Sequence, residues 1–177
     1  MLKLILITLT LAPAWLFGQG TIDTTGSQIS PQDARAILDY HNKVRNDQHI
    51  ASLTWSSQLA AYAQDWADSL ANTYHCKLIH RAAVGKNYLG YGENLYEGRS
   101  SGKVNPLNAA IAWYDEIQNY HYGKLNESNW FKTGHYTQMV WKNTVEMGAG
   151  IATCPSGAVI IVANYNPPGN YMGEFPY

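Results

Sequence analysis

Two stretches in the first half of the chain repeat one plan of apolar and polar positions. After Ser30-Pro31-Gln32-Asp33, the residues Ile37, Leu38, His41 and Val44 recur at helical spacing. Ser as N-cap, Pro at the first helical position and Asp in the first turn together form a helix start. The pattern predicts a helix to about Asp47. "ASLTWSSQLAAYAQDWADSLANT" repeats it, with Leu59, Ala63, Trp66, Ala67 and Leu70 on one face. A third helix is expected over 106–119, burying Ala109, Ala110, Trp113 and Ile117. The segments between these helices are polar: 85–102 reads as a long loop, and 120–134 as a polar loop studded with aromatic rings. A short helix is expected after His135. Near the end the period changes. "MGAGIATC" and "AVIIVANY" read as two strands joined at Pro155-Ser156-Gly157, a hairpin signal. "NPPGN" then ends the second strand, because Pro cannot continue the ladder. Helices first and a hairpin last predict an α+β fold with helices on an antiparallel sheet.

The N-terminus separates from this plan. "MLKLILITLTLAPAWLFGQG" carries one Lys, then an apolar run from Leu4 to Phe17, then small residues. That is the layout of a secretory signal peptide, and the run is shorter than the roughly 20 apolar residues of a membrane span. The expected organisation is a signal peptide over 1–20, a loose polar lead-in over 21–33 and one domain over 34–177. Secretion, with no transmembrane segment after signal cleavage, follows as the expected localisation.

Composition narrows the function classes. Twelve Lys and Arg against thirteen Asp and Glu give a formal charge of -1. Without a basic cluster the chain lacks the phosphate-facing surface that nucleic-acid binding needs. Charged residues are only 14 % of the chain, while Tyr numbers 13 and Trp 6. Cys76 and Cys154 are in neither a CxxC pair nor another metal-knuckle spacing, so a thiolate zinc site is not expected. They can form one bridge or remain free thiols. Asn126-Glu127-Ser128 is a glycosylation sequon, with Asn126 as acceptor in a eukaryotic host.

Four residues stand out as candidate chemistry: His80 in "HCKLIHR", Glu93 in "GYGENLYEG", Glu116 in "AWYDEIQ" and His135 in "GHYTQMVWKNT". Each lies beside apolar or aromatic residues, where a carboxylate needs a partner. Two imidazoles and two carboxylates can bind a divalent metal, exchange protons or satisfy one another. His75 competes with His80 for this role, and Glu97 with Glu93. No HExxH motif is present.

These segments carry a resemblance. "GHYTQMVWKNT" is similar to the first signature of the CAP superfamily (cysteine-rich secretory proteins, antigen 5 and pathogenesis-related 1 proteins). "IIVANYNPPGNY" resembles the second, departing at Ala163, where Cys is usual. "CKLIH" and "GENL" resemble two further motifs in the expected order, and 34–171 resembles the family throughout. The resemblance implies a three-layer α-β-α sandwich around a three-stranded antiparallel sheet. It also implies that His80, Glu93, Glu116 and His135 meet in a central cleft. There the two His residues are zinc ligands in some members, with the carboxylates nearby. Thr133, Ala149 and Ala163 stand where the family often has Cys, so the pairing of Cys76 and Cys154 is left open. Fungal relatives bind sterols through an aromatic-rich loop at the place of 120–134. By that likeness Tyr120, Tyr122, Trp130 and Phe131 are the candidate lipid-binding residues.

The leading expectation is a secreted, non-enzymatic binder of a sterol or another small lipid, with a His/Glu cleft able to take zinc. One alternative is a metal-dependent hydrolase or peptidase using the tetrad. The other is an extracellular protein–protein module in defence or virulence.

Overall fold

The computed structural model describes residues 22–85, 87–99 and 104–177. The expected signal peptide over 1–20 lies outside the described residues. Helix α1 spans Pro31–Asp47, and the Ser30 side chain accepts from the Asp33 amide as the sequence predicts. Helix α2 spans Ser57–Asn72 behind an N-cap at Ser56. A two-residue strand β1, Thr54–Trp55, precedes it. After α2 come a single helical turn α3 (Arg81–Val84) and strand β2 (Gly92–Gly98). Helix α4 (Leu107–Asp115) runs into a 3₁₀ turn over Glu116–Asn119. Helix α5 spans Glu127–Met139, and the hairpin strands β3 (Glu146–Thr153) and β4 (Val159–Asn166) close the domain.

The sheet order is β1-β3-β4-β2, so β2 is an edge strand. The three long strands are antiparallel, with Glu93 opposite Asn164 and Ala149 opposite Ala163. The sheet departs from the expected three strands by one: β1 adds to its far edge, parallel to β3. Two cores lie on the two faces, and together they make the α-β-α sandwich. Ile160, Val162, Ala152 and Leu95 face α2 and its Trp66 and Leu70. Met147, Ala149, Ile161, Ala163 and Tyr165 face α1, α4 and α5. The strict alternation of β4 into both cores follows from the period of a strand buried on two sides. Gly148 and Gly150 set the spacing of the first layer. A Cβ at either position would fall 2.2 or 2.4 Å from the backbone of α2, so only Gly lets the helix lie this close.

Four expectations are corrected. The stretch 85–102 contains β2, whose polar residues hid it: Glu93, Asn94 and Glu97 interrupt the apolar alternation of a strand. The stretch 120–134 is not a loop throughout, because α5 begins at Glu127 and carries Trp130, Phe131 and His135 on one helix. Asn126 starts it with a capping box, its Oδ1 accepting from the Ser128 and Asn129 amides. The third helix tightens to 3₁₀ at Glu116 instead of continuing as α to Asn119. The lead-in is packed down: Thr25 and Ile29 are buried, and the Trp55 indole donates to the Thr25 carbonyl.

One buried cation seats the end of α5. Arg45 has no exposed surface, and its guanidinium donates to the carbonyls of Ala51, Met139, Trp141 and Thr144 at 2.8–3.0 Å. Two of these lie at or just past the C-terminus of α5, where helix carbonyls lack intrahelical donors. Burial lowers the Arg45 pKa to about 10, which leaves it charged at neutral pH.

Candidate functional site

The site forms where the edge strand β2 meets both helical layers. On one side the extended backbone of His80 opens α3. Its neighbour Arg81 is buried and fixes this turn to α2. The guanidinium donates to the Tyr62 carbonyl at 3.0 Å and to Asp65 Oδ2 at 2.6 Å, and it lies 3.9 Å from the centre of the Tyr62 ring. The Arg81 amide donates to Glu93 Oε1 at 3.0 Å, and His80 Nδ1 donates to the same oxygen at 2.9 Å. Glu93 Oε2 is buried and has no hydrogen-bond partner.

On the other side Glu116 sits in the 3₁₀ turn after α4 and grips α5. Its Oε2 accepts from the His135 and Tyr136 amides at 2.8 and 3.2 Å, and its Oε1 accepts from His135 Nδ1 at 2.7 Å. Trp113, one turn earlier on α4, stacks near the His135 ring at 6.3 Å between centres and an interplanar angle of 27°. Its indole donates to the Leu95 carbonyl of the edge strand at 3.0 Å. A carboxylate beside this Trp finds three N–H partners, which offsets the cost of its burial.

A buried polar chain ties the two sides to the core. Asn94 donates to the His135 carbonyl at 3.1 Å and to the Tyr165 hydroxyl at 3.2 Å. The Tyr165 hydroxyl donates to His41 Nε2 at 3.0 Å, and His41 Nδ1 donates to the Ile37 carbonyl at 2.8 Å. Burial lowers the His41 pKa to about 4 and pushes that of Tyr165 up. Both groups are therefore neutral at pH 7, and the chain holds without a buried charge.

His80, Glu93, Glu116 and His135 line one cleft of about 130 Å³. The four expected residues are thus brought together. His75 and Glu97 are not among them; they border a separate cavity of about 440 Å³ beside Cys76 and Arg99. Of the four candidate lipid-binding residues, only Trp130 and Phe131 reach the cleft, where Phe131 is 79 % exposed. Tyr120 and Tyr122 pack with the C-terminal tail instead. Tyr120 lies against Tyr136 and Tyr177, while Tyr122 stacks on Phe175 and donates to the Tyr177 carbonyl. Burial raises the Tyr120 pKa to about 12. Asn170 completes the rim, donating to the Gly134 carbonyl and accepting from the Thr137 hydroxyl.

Cys76 and Cys154 form a disulfide that joins the segment after α2 to the β3–β4 turn. Asn126 is exposed at the start of α5. Arg81, Asn94 and Asn170 complete the site and were not singled out in the sequence. Arg81 follows His80 directly, Asn94 lies in "GENL" and Asn170 in "IIVANYNPPGNY", so adjacency and motif membership were the available signals.

The donor chemistry suits a divalent metal in part. With Nδ1 of each ring held by a carboxylate, Nε2 is the nitrogen left open to a metal, an orientation common among metal-bound His. The ligand count does not reach a catalytic zinc site, which needs three protein ligands. Among the described residues no group of three or more His, Cys, Asp or Glu converges to hold a metal ion.

Comparison with known proteins identifies the family and the fold. Residues 38–165 match the family model CAP, the cysteine-rich secretory protein family. Pathogenesis-related protein 1A of Nicotiana tabacum is 41 % identical over 151 residues, covering 85 % of this chain and 83 % of that protein. Pathogenesis-related protein 1 of Arabidopsis thaliana is 38 % identical over 85 % of this chain and 84 % of its own. Among solved structures, BmVAL-1 superposes with a TM-score of 0.71 at 28 % identity, over 86 % of this chain and 84 % of that one. NaASP2 with Zn2+ shares the fold at a TM-score of 0.71 and 24 % identity, over 89 % and 90 %. The chain belongs to the CAP, or cysteine-rich secretory protein, family.

Proposed function

We propose that this chain is a secreted binding protein that takes the polar end of a sterol or another small lipid into the tetrad cleft. The apolar body of the ligand lies along Trp130 and Phe131. The observation that carries this reading is the exposed Phe131 at the lip of the cleft that holds both His–Glu pairs. Phe131 packs edge-on against Trp130 at 5.1 Å between ring centres, so the two rings form one apolar patch beside a polar recess, and such patches mark binding surfaces. A recess of about 130 Å³ suits a head group, with the rest of the molecule outside. Secretion is supported by the apolar N-terminal segment, and a defence setting by the relatives' designation as pathogenesis-related.

Binding of a fluorescent sterol by titration tests the reading. The double variant Trp130→Ala/Phe131→Ala is expected to weaken it by about tenfold or more. Its urea midpoint is expected to stay close to that of the parent, because Phe131 contributes little buried area. Unchanged sterol affinity in the double variant overturns the assignment.

Zinc binding is the second reading, favoured by the two carboxylate-oriented imidazoles. His80 and His135 would hold the ion, which supplies Lewis acidity when bound, with water completing its shell. Two protein ligands give no basis for deriving a hydrolytic step. Calorimetric zinc titration of His80→Ala and His135→Ala should show loss of binding in both; retention in either variant removes that residue from the site.

A further inference from the structure

The hydrogen-bond inventory of the cleft points to the head group it selects, an inference that rests on the binding reading above. The charged and amide donors around the cleft are largely spent inside the protein. Both imidazole Nδ1 groups donate to carboxylates, and Asn94 donates to His135 and Tyr165. The amides of Arg81, His135 and Tyr136 are taken by Glu93 and Glu116. What stays open to a ligand is Nε2 of His80 and Nε2 of His135, on side chains 46 % and 36 % exposed. Behind them Glu93, with a side chain only 8 % exposed, keeps a buried oxygen without a donor. No Lys or Arg side chain lines the cleft among the described residues. The neutral N–H groups of Asn170 and Trp130 are the donors left at the rim.

Two carboxylates in a partly dry recess create a negative potential that water screens poorly. The aromatic faces of Trp130 and Phe131 add a second attraction for a cation. A carboxylate or phosphate head would meet acceptors and like charge, and an uncharged hydroxyl would satisfy one acceptor. An ammonium supplies three donors and the matching charge. We infer that the cleft selects amphiphiles with an ammonium head, ranks neutral alcohols below them and excludes anionic heads.

Three probes of equal chain length test the ranking by calorimetry at neutral pH in the presence of a chelator: octylamine, octanol and octanoate. The expected order is octylamine ahead of octanol by at least about tenfold, with octanoate at least about tenfold behind octanol. The amine-over-alcohol ratio should shrink at high salt. It should also fall at least about fivefold in Glu93→Gln or in Glu116→Gln, each checked for folding by circular dichroism. Equal affinities, or octanoate binding tightest, overturn this inference while leaving the lipid-binding reading in place. A ratio unmoved in both variants overturns the role of the carboxylates. Binding of none of the three probes, and of no sterol, overturns the lipid-binding reading and this inference with it.

Discussion

Glu116 commits both of its oxygens to the first atoms of one helical turn, holding His135 by amide and ring together. Glu93 commits a single oxygen to both the His80 ring and the Arg81 amide, and its other oxygen stays empty. The two His–Glu pairs share the same Nδ1 contact and differ in everything behind it. The α5 pair is closed: its carboxylate is saturated, its imidazole lies near Trp113, and its helix is seated by Arg45. The His80–Glu93 pair, between α3 and β2, is open, with a more exposed imidazole and an unused acceptor. It is anchored through Arg81 and, further back, through the disulfide at Cys76. The difference teaches that one side of a cleft can be closed by a saturated carboxylate while the other is left short of donors.

The sharpest way to break this contrast is to remove Arg45. Arg45→Met removes the side-chain donor of four carbonyls at once, of which only that of Trp141 is also seen to accept from a backbone amide, that of Thr144. At about 1–3 kcal/mol for each orphaned buried acceptor, partly relieved by relaxation, the expected loss is about 5 kcal/mol in urea unfolding. Such a loss approaches the whole stability of a domain. A loss under about 2 kcal/mol would mean that α5 is held elsewhere.

Removing the disulfide should come next. Cys76→Ala/Cys154→Ala opens a link between residues 78 apart in sequence, worth about 4 kcal/mol by loop-closure entropy. Amide exchange should then accelerate more over 73–80, which leads to His80, than over 127–139. Equal acceleration in both segments would show that the disulfide acts on the whole domain and not on the open side.

The smallest of the three effects is set by pH. His41 has a folded pKa of about 4, against 6.5 when unperturbed. Between these values the unfolded chain binds the proton and the folded chain does not. The stabilisation is therefore complete above pH 6.5 and is lost as pH falls towards 4, by about 3 kcal/mol at most. Stability measured across this window should lose that slope in His41→Gln. An equally steep profile in the variant would place the titration at another group. Because His41 reaches His135 through Tyr165 and Asn94, the same acid range should loosen the closed side of the cleft first.

Much of the fold was legible because it depends on local chemistry. The Ser30 cap, the apolar stripes of α1 and α2 and the Pro155-Ser156-Gly157 turn each act within a few residues, where spacing alone carries the signal. The site was legible in its members, through the resemblance of "CKLIH", "GENL" and "GHYTQMVWKNT" to family motifs. Strand β2 was hidden for a physical reason. An edge strand that lends Glu93 and Asn94 to a cleft cannot also display an alternating apolar face. Helix α5 was hidden in part because Trp130 and Phe131 face the cleft instead of the core, which erases its amphipathic stripe.

The sequence by itself determined where α1 and α2 begin and which strand pair forms the hairpin, and its family motifs named the four side chains that line the cleft. Only the tertiary structure decided that Cys76 meets Cys154, that Tyr120 and Tyr122 belong to the tail, and that one acceptor of Glu93 is left over. Each of those outcomes depends on groups far apart in the chain arriving at one place. Helix caps and turns are settled by neighbours a few residues away, whereas hydrogen-bond satisfaction in a cleft is settled by everything that packs around it.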